Sequence, residues 1–215
     1  MIKRSSFKAV LFDLDGVLID SMDAHVEAWK KAYADFGITV SSQEIRLREG
    51  EKSQCSARDI ANRNGLNLSD NEISELLRRK REFYGDTAPN DMKPGVREIL
   101  IDLKNDGYKL GLVTGSIWRN LNLVLSDEDK SLFSVIITSE DVKNSKPSPE
   151  PYLSAMEALE LSPLDCLVVE NAPLGIHAGK AAGMKVAGIT TTLPSENLSE
   201  ADWIFGRIDD LRRII

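Results

Sequence analysis

Cysteine is nearly absent from this chain, which has only Cys55 and Cys166 among its 215 residues. The two lie far apart and show no metal-ligand spacing, which argues against a metal centre held by thiolates. Cys166 opens an apolar run of the sequence. We therefore expect Cys166 to be a small core residue.

Positive charge is also in short supply. The 27 lysines and arginines are outnumbered by 34 aspartates and glutamates, which gives a formal net charge of −7 at pH 7. Phosphate backbones attract basic surfaces, so an acidic chain of this kind is a poor match for them. We therefore expect no nucleic acid among the partners of this protein.

Long hydrophobic runs are missing as well. No stretch approaches the roughly 20 apolar residues that cross a bilayer, so we expect no membrane span. The N-terminal stretch MIKRSSFKAVLFDLDG contains basic and then apolar residues, but Asp13 and Asp15 interrupt it too early for a signal peptide. The sequence therefore predicts a cytoplasmic protein, which we expect to be a monomer or a weak homodimer.

The chain does have the ordinary balance of a globular protein, with 42% hydrophobic and 28% charged residues. At this length, one large domain or two unequal domains can bury a core. Five short apolar runs read as strands, and after the first of them they alternate with helical stretches. These runs lie in KAVLFDLD, YKLGLVTGS, LFSVIITSE, CLVVEN and MKVAGIT. The alternation predicts an α/β fold with a parallel sheet covered on both faces.

Residues 20–87 break this alternation because they contain no convincing strand. One apolar helical stripe ends at Gly37, and a second helix begins at a Ser69 or Asp70 cap. Since this helical insert directly follows the first strand, it can close over the carboxyl end of that strand as a lid. The predicted division is a catalytic core at 1–19 and 88–215 with a helical cap at 20–87.

Acidic and amide side chains stand at the ends of two predicted strands. Asp13 and Asp15 follow the first strand, and Glu170 and Asn171 end the fourth. Ligands of parallel sheets bind beyond the carboxyl ends of the strands, and unpaired polar groups are costly to bury. One aspartate of the pair can act as a nucleophile while the other transfers a proton. Carboxylate and amide oxygens are also suitable ligands for Mg²⁺.

Groups suited to an anion follow the other predicted strands. Thr114, with the amides of Gly115 and Ser116, forms a small donor nest. Lys146 is held by the following Pro147 and adds a fixed positive charge. Two acidic side chains, a bound divalent metal ion, a group of amide donors and a lysine together indicate phosphoryl transfer through an aspartyl-phosphate.

Four segments of the chain carry a family resemblance. In order, DLDGVLIDS, VTGS, KPSPEPY and VVENAPLGIHAGKAAGM resemble the four motifs of the haloacid dehalogenase superfamily of phosphotransferases. The helical insert, with HVEAW, resembles the cap of the β-phosphoglucomutase-like branch of that superfamily. The resemblance covers essentially the whole chain and implies a Rossmann-like core with Mg²⁺ as cofactor.

The resemblance also implies roles for individual residues. Asp13 is the implied nucleophile, and Asp15 is the implied acid/base, which also gives the metal its backbone carbonyl. Thr114 and Lys146 are implied to bind phosphate. The implied metal ligands are Asp13, Asp15, Glu170 and Asn171.

The fourth motif departs from the family pattern. Many relatives have Glu-Asp where this chain has Glu170-Asn171, so a formal negative charge is lost. Glu49, in the cap beside the hinge-like Gly50, can restore that charge if the cap closes over the site. The alternative is that Asn171 suffices alone and Glu49 is an ordinary exposed acid.

Two further cap residues are candidates for substrate contact. His25 is either a packed or solvated helix residue or part of the site. Lys80 alone in its basic run falls at the centre of an apolar helical stripe. Its ammonium either snorkels out of the cap core or reaches down to a substrate, and the sequence does not decide between the two.

Hydrolysis of a small phosphorylated metabolite or of pyrophosphate is the reaction that the sequence favours. Mutases of this branch grip a second phosphate with an arginine shortly after the cap glycine, whereas here the nearest basic residue is Lys52 and Arg58 comes late. Glu49, directly before the glycine, would also repel a second phosphate. The sugar-phosphate mutase is the alternative, and a catalytically silent binding protein is disfavoured because the motif residues are all present.

Overall fold

A six-stranded parallel sheet forms the centre of the computed structural model, which describes residues 7–215. The strand order is β3-β2-β1-β4-β5-β6. The strands are β1 Ala9–Phe12, β2 Lys109–Val113, β3 Val135–Ile137, β4 Cys166–Glu170, β5 Lys185–Ile189 and β6 Trp203–Phe205. The predicted α/β fold is confirmed. The sixth strand is missing from the sequence-based prediction because three residues at the sheet edge are too few to show a period.

Helices cover both faces of the sheet, as its nearly continuous apolar strands require. The helices that follow the insert are α5 Val96–Asn105, α6 Trp118–Val124, α7 Asp127–Lys130, α8 Glu150–Ala158 and α9 Pro173–Ala181. Val10 and Phe12 of β1 pack on the side of α5 and α6, while Ala9 and Leu11 pack on the side of α8 and α9. Cys166 is fully buried in this core, as predicted.

One predicted helical stretch, WRNLNLVLSDED, is divided in the structure into α6 and α7. Ser126 begins the second helix, because its hydroxyl accepts a hydrogen bond from the Asp129 amide at 3.1 Å. The Asp129 carboxylate in turn accepts from the Ser126 amide at 3.3 Å. This reciprocal capping box starts a new helix inside the stretch.

The insert after β1 consists of helices with an apolar core of their own. They are α1 Met22–Ala34, α2 Ser42–Leu47, α3 Ser53–Arg63 and α4 Asp70–Gly85. Buried residues from different helices, such as Tyr33, Ile60 and Ile73, pack together in this core. Ser69 caps α4, as one of the two predicted alternatives had it. We call residues 20–87 the cap; its limits stay a prediction.

Among residues 7–215, no helix combines the length and apolar character needed to cross a membrane. The cytoplasmic location and the monomer or weak homodimer stay predictions from the sequence.

Candidate active site

The carboxyl ends of three neighbouring strands bring the motif residues together. Asp13 directly follows β1, Thr114 follows β2, and Glu170 is the last residue of β4. The parallel register pairs Phe12 with Val169, so the residues that follow, Asp13 and Glu170, lie side by side. All three motif residues are buried. The fold thus assembles groups that are more than 150 residues apart in the sequence.

Lys146 lies in the loop before α8, with its ammonium between two acidic side chains. Its Nζ donates to Asp13 Oδ1 and to Glu170 Oε1, both at 2.6 Å, and to the Val113 carbonyl at 3.1 Å. Burial lowers the pKa of Lys146, but the charges of Asp13 and Glu170 outweigh burial and hold that pKa well above its ordinary value. Lys146 is therefore a fixed cation beside Asp13, where the sequence predicts one.

The two oxygens of Asp13 have different surroundings. Oδ1 accepts from Lys146, whereas Oδ2 is buried and has no hydrogen-bond partner within residues 7–215. Burial raises the pKa of Asp13 to about 8, with Lys146 opposing the rise and the charges of Glu170 and Asp15 adding to it. The carboxylate therefore requires more positive charge than Lys146 supplies.

Asp15 accepts hydrogen bonds on both of its oxygens. Its Oδ1 lies 2.5 Å from Ser21 Oγ and 3.1 Å from His25 Nε2, and its Oδ2 accepts from Ser116 Oγ at 3.2 Å. Burial by itself raises the pKa of Asp15, but the hydrogen bonds that it accepts from His25 and Ser21 and the charge of the Lys80 ammonium outweigh burial. The pKa of Asp15 falls to about 2. Asp15 is therefore ionised in this arrangement.

Lys80 and His25 form a hydrogen-bonded chain that leads from the cap to Asp15. Lys80 Nζ lies 2.9 Å from His25 Nδ1, and the His25 ring stacks on Tyr84 with centroids 4.0 Å apart. An ammonium only donates, so Nδ1 accepts and Nε2 carries the proton that is donated to Asp15. Burial, reinforced by the Lys80 charge, lowers the pKa of His25, and burial lowers the pKa of Lys80 to about 8.

This chain shows where the two cap residues lie, and their contact with a substrate stays a prediction. Lys80 is buried and does not snorkel to solvent. It lines the cavity described below, but its ammonium contacts His25. Both residues therefore reach the site, and their contacts lead to the predicted acid/base.

The loop after β2 differs in detail from the predicted donor nest. The Ser116 amide donates to Thr114 Oγ1 at 3.0 Å, so it is already engaged within the loop. Ser116 instead offers its hydroxyl to Asp15. Gly115 packs against the cap, because a Cβ at this position would lie 3.0 Å from the carbonyl oxygen of Gly50. The cap is thus closed onto this loop.

Glu170 is brought to the site with both of its oxygens already bonded to the protein. Oε1 accepts from Lys146 and from the Tyr152 hydroxyl, the latter at 2.8 Å. Oε2 accepts from the amides of Asn171 and Ala172 at 3.0 and 3.3 Å. These contacts leave Glu170 to hold Lys146 in place.

Glu49 of the cap meets Asn171 of the core. Asn171 Nδ2 donates to Glu49 Oε2 at 2.9 Å. In the described part of the chain, residues 7–215, Glu49 Oε1 and Asn171 Oδ1 are buried without a hydrogen-bond partner. Burial raises the pKa of Glu49 well above its ordinary value, and the charges of Asp13 and Asp15 add to this. Glu49 is therefore not an exposed surface acid, and cap closure does place it beside Asn171.

Comparison with known proteins identifies the family of this chain. The family described as haloacid dehalogenase-like hydrolase matches residues 10–189. The chain belongs to this family. It is 32% identical over 215 residues to beta-phosphoglucomutase of Bacillus subtilis (strain 168), covering 95% of this chain and 91% of the relative. It is also 32% identical over 212 residues to validoxylamine A 7'-phosphate phosphatase of Streptomyces hygroscopicus subsp. limoneus, covering 96% of each chain.

A solved structure agrees with these relatives. The structure of beta-phosphoglucomutase from Clostridium difficile is similar to this one with a TM-score of 0.84 at 29% identity, covering 95% of this chain and 93% of that chain. The predicted superfamily and its β-phosphoglucomutase-like branch are therefore confirmed. This haloacid dehalogenase-like hydrolase has both a phosphatase and mutases among its relatives.

The donor set of the site fits the Mg²⁺ that the family implies. Three buried oxygens lack a protein partner within residues 7–215, namely Asp13 Oδ2, Glu49 Oε1 and Asn171 Oδ1. The same range holds no preformed group of three acidic, histidine or cysteine side chains in metal-binding geometry. A mixed set of carboxylate, amide and carbonyl oxygens is nevertheless typical of Mg²⁺. The buried carboxylates also outnumber the nearby Lys146, so a further cation suits the site.

A cavity of about 320 Å³ lies between the cap and the carboxyl end of the sheet. Asp13 and Asp15 lie at its base, and apolar cap residues that include Trp29, Ile45 and Leu77 form part of its wall. Its volume lies within the ordinary range of small-molecule sites. The hydrolase therefore has room for a small molecule beside Asp13 and Asp15.

The basic residues considered for a second phosphate are bonded elsewhere. Lys52 Nζ donates to the carbonyls of Val142 and Lys143 at 2.9 and 2.7 Å. Arg58 donates to the Leu68 carbonyl at 3.3 Å and to Asp70 at 2.5 Å. Lys52 lines the cavity with its ammonium bonded to these two carbonyls, whereas Arg58 is not among the residues that line the cavity.

Sequence reasoning missed several residues of this site. Ser21 and Tyr152 lie inside the motif segments DLDGVLIDS and KPSPEPY, so their position in those motifs was an available signal. Arg81 follows Lys80 and lines the cavity. Thr192, which accepts from Asn171 Nδ2 at 2.7 Å, follows β5 and has no local pattern that marks it.

Proposed function

We propose that this hydrolase is a Mg²⁺-dependent phosphatase that acts on a small phosphorylated metabolite or on pyrophosphate. The observation that carries the proposal is the buried pairing of Asp13 with Lys146 beside an ionised Asp15. A carboxylate next to a fixed cation and a second carboxylate is the arrangement that covalent phosphoryl transfer needs. The phosphatase among the relatives supports the same reaction class.

In the first half-reaction, an oxygen of Asp13 attacks phosphorus and the bond to the leaving-group oxygen breaks. Lys146 and the Thr114 loop offset the charge of the phosphoryl group. The leaving oxygen takes a proton from Asp15, which must first gain one. The negative charge of the arriving phosphate raises the pKa of Asp15 and so favours this protonation.

In the second half-reaction, water attacks the phosphoryl group on Asp13. Asp15, again ionised, accepts the proton of that water, and inorganic phosphate leaves. His25, oriented by Lys80, donates to Asp15 Oδ1 throughout and fixes the direction in which the carboxylate points. The same residue thus serves as acid and then as base.

For the cation we propose a specific set of ligands. These are the Asp13 side chain, the Asp15 backbone carbonyl, the Asn171 amide oxygen and the Glu49 side chain. Bound Mg²⁺ supplies positive charge that offsets the charge of the phosphoryl group and of the surrounding carboxylates. Glu170, which the sequence also suggests as a ligand, we assign to positioning Lys146, since its oxygens already have protein partners.

The contacts of the cap favour the phosphatase over the mutase. A mutase must grip a second phosphate, and both Lys52 and Arg58 are engaged in bonds within the protein. Glu49 is half-buried next to Asn171, where an ionised carboxylate opposes a second anion. We therefore take water as the acceptor of the phosphoryl group.

The decisive experiment is a panel of phosphorylated metabolites together with pyrophosphate, assayed with Mg²⁺ for free phosphate and for isomerised sugar phosphate. Release of phosphate supports the phosphatase, whereas an isomerised sugar phosphate without net hydrolysis would identify a mutase. Asp13→Asn should lower turnover by several orders of magnitude while the protein stays folded. Asp127→Asn, which changes a fully exposed aspartate, is the matched control. Near-normal turnover of folded Asp13→Asn would refute the mechanism.

A further inference from the structure

The amide of Asn171 is held in one orientation by two acceptors. Its Nδ2 lies 2.9 Å from Glu49 Oε2 and 2.7 Å from Thr192 Oγ1. An ionised Glu49 only accepts, so the amide group that faces it is the NH₂ and both of its hydrogens have acceptors. Consequently the opposite atom, Oδ1, is the one left buried without a partner within residues 7–215.

Thr192 packs against the loop after β1, which contains the first motif. A Cβ on Gly16 would lie 2.2 Å from Asn171 Nδ2 and 2.5 Å from Thr192 Oγ1, so only glycine fits at this contact. The neighbouring Thr191 donates from its hydroxyl to the Gly16 carbonyl at 2.7 Å. The segment after β5 is therefore fixed against the loop of Asp13 and Asp15, and Thr192 is a stable anchor for the amide.

An amide in a metal site needs such an anchor more than a carboxylate does. The two oxygens of an aspartate are equivalent, so rotation about the last side-chain bond still presents an oxygen. Rotation of Asn171 by half a turn would instead present NH₂ to the cation and turn Oδ1 towards the Glu49 carboxylate. The first contact is repulsive and so is the second. Because a hydroxyl can accept or donate, Glu49 selects the orientation of the amide, and Thr192 Oγ1 stabilises that orientation by accepting the second Nδ2 hydrogen.

We propose that Thr192 is a positioning residue of the cation site: its hydroxyl oxygen holds the Asn171 amide so that Oδ1 faces the cation. This inference rests on the proposed function, because it concerns the same Mg²⁺ site. It assigns a role to a segment after β5 that contains none of the four motifs. Glu49 supplies one acceptor from the cap, and Thr192 supplies the other from the core.

The test is a calorimetric titration of the purified protein with Mg²⁺ alone. Thr192→Val keeps the shape of the side chain but removes the acceptor, and it should weaken Mg²⁺ binding by about 10-fold, as loss of an outer-shell partner does. Thr192→Ser retains the hydroxyl and should bind within about twofold of the wild type. Thr190→Val is the matched control, since its hydroxyl contacts the Phe205 carbonyl and not Asn171.

A second readout separates positioning from damage to the fold. In Thr192→Val, the Mg²⁺ concentration for half-maximal turnover should change more than turnover at saturating Mg²⁺ does, and in Thr190→Val neither should change. The melting temperature of Thr192→Val without Mg²⁺ should match that of Thr190→Val. If Thr192→Val does not fold, Thr192→Ala is measured in its place.

The outcomes distinguish this inference from the function on which it rests. Equal Mg²⁺ affinity in the wild type and Thr192→Val would overturn the role of Thr192 and leave the phosphatase intact. Thr192→Ser that behaves like Thr192→Val would also overturn it, because the hydroxyl would then not be the acting group. A wild-type protein that neither binds Mg²⁺ nor releases phosphate would overturn the proposed function itself.

Discussion

At the scale of single residues, the two aspartates of the first motif lie in opposite electrostatic environments. Asp13 is buried beside Glu170, and its pKa is raised to about 8. Asp15 accepts from Ser21, His25 and Ser116, and its pKa is lowered to about 2. Neighbouring groups whose pKa values are pushed apart are suited to different roles. One carboxylate can form the covalent bond while the other handles protons.

The role of Asp15 predicts an effect that depends on the leaving group. Asp15→Asn should slow hydrolysis of alkyl phosphates, whose leaving oxygen needs a proton, by roughly 10²–10⁴-fold. The loss should be smaller for nitrophenyl phosphate, because nitrophenolate leaves without a proton. Rates of aspartyl-phosphate formation with both substrates measure this. Equal losses for the two substrates would show that Asp15 only shapes the loop.

Lys80 predicts a pH dependence of stability. Burial lowers its pKa from the ordinary 10.5 to about 8, so between these values the unfolded chain holds a proton that the folded chain has lost. The free energy of unfolding therefore rises with pH between pH 8 and 10.5. Below pH 8 the buried charge of Lys80 lowers the free energy of unfolding by a constant amount. The lowered pKa of Lys80 corresponds to a loss of about 3 kcal/mol in the free energy of unfolding.

Lys80→Met should remove this contribution. The unfolding free energy of the wild type, relative to that of the variant, should rise between pH 8 and 10.5, as measured by urea denaturation. Lys30→Met, at a partly exposed position of the same cap, is the control. Parallel pH profiles of the wild type and Lys80→Met would contradict the lowered pKa.

At the scale of the structural elements, the cap is joined to the core by polar contacts at the loop between α2 and α3. Lys52 donates from its backbone amide to Ser145 Oγ at 3.0 Å and from its ammonium to two carbonyls of the loop after β3. Gly50 packs against Lys146, where a Cβ would lie 2.7 Å from Lys146 Cδ. These contacts hold Glu49 over the site.

Lys52→Met should weaken cap closure without touching the reacting groups. Loss of the two ammonium bonds, which are partly exposed, should cost about 1 kcal/mol and raise KM roughly fivefold, with kcat less affected. Steady-state kinetics of Lys52→Met and of the control Lys30→Met measure this. A loss confined to kcat would indicate that Lys52 takes part in the chemistry instead.

At the scale of the whole molecule, cap and core together form a site in which acidic side chains outnumber the basic ones. Asp13, Asp15 and Glu170 come from the core and Glu49 from the cap, and Lys146 is the cation between two of them. A unit-charge pair at about 4 Å and an effective dielectric of 20 is worth roughly 4 kcal/mol. Cation binding and cap closure are therefore expected to be coupled.

This coupling predicts the behaviour of the Glu49 and Asn171 variants. Glu49→Gln should raise the Mg²⁺ concentration needed for half-maximal activity and weaken substrate affinity. Asn171→Asp should partly rescue the Mg²⁺ requirement of that variant by returning the missing charge to the core. Magnesium titrations of turnover in the wild type, both single variants and the double variant measure this, with Glu27→Gln as the exposed control. An unchanged requirement in Glu49→Gln would leave Asn171 to hold the metal alone.

The sequence by itself was enough to predict the α/β core, the helical insert and the residues at the strand ends. Buried parallel strands leave continuous apolar runs, and their carboxyl ends meet at one edge, so Asp13, Thr114 and Glu170 could be placed together without coordinates. The four motifs were also local enough to indicate the family. These properties depend on spacing within short segments, which the chain displays directly.

Only the tertiary structure decided which polar groups of the site already have hydrogen-bond partners within the protein. It shows that Glu170 is fully bonded, that Lys80 contacts His25, and that Glu49 and Thr192 share the amide of Asn171. Glu49 and Asn171 are 122 residues apart, and no periodicity relates residues so distant in the chain. Their meeting depends on how the cap packs on the core, because distances between remote segments are set by packing and not by local pattern.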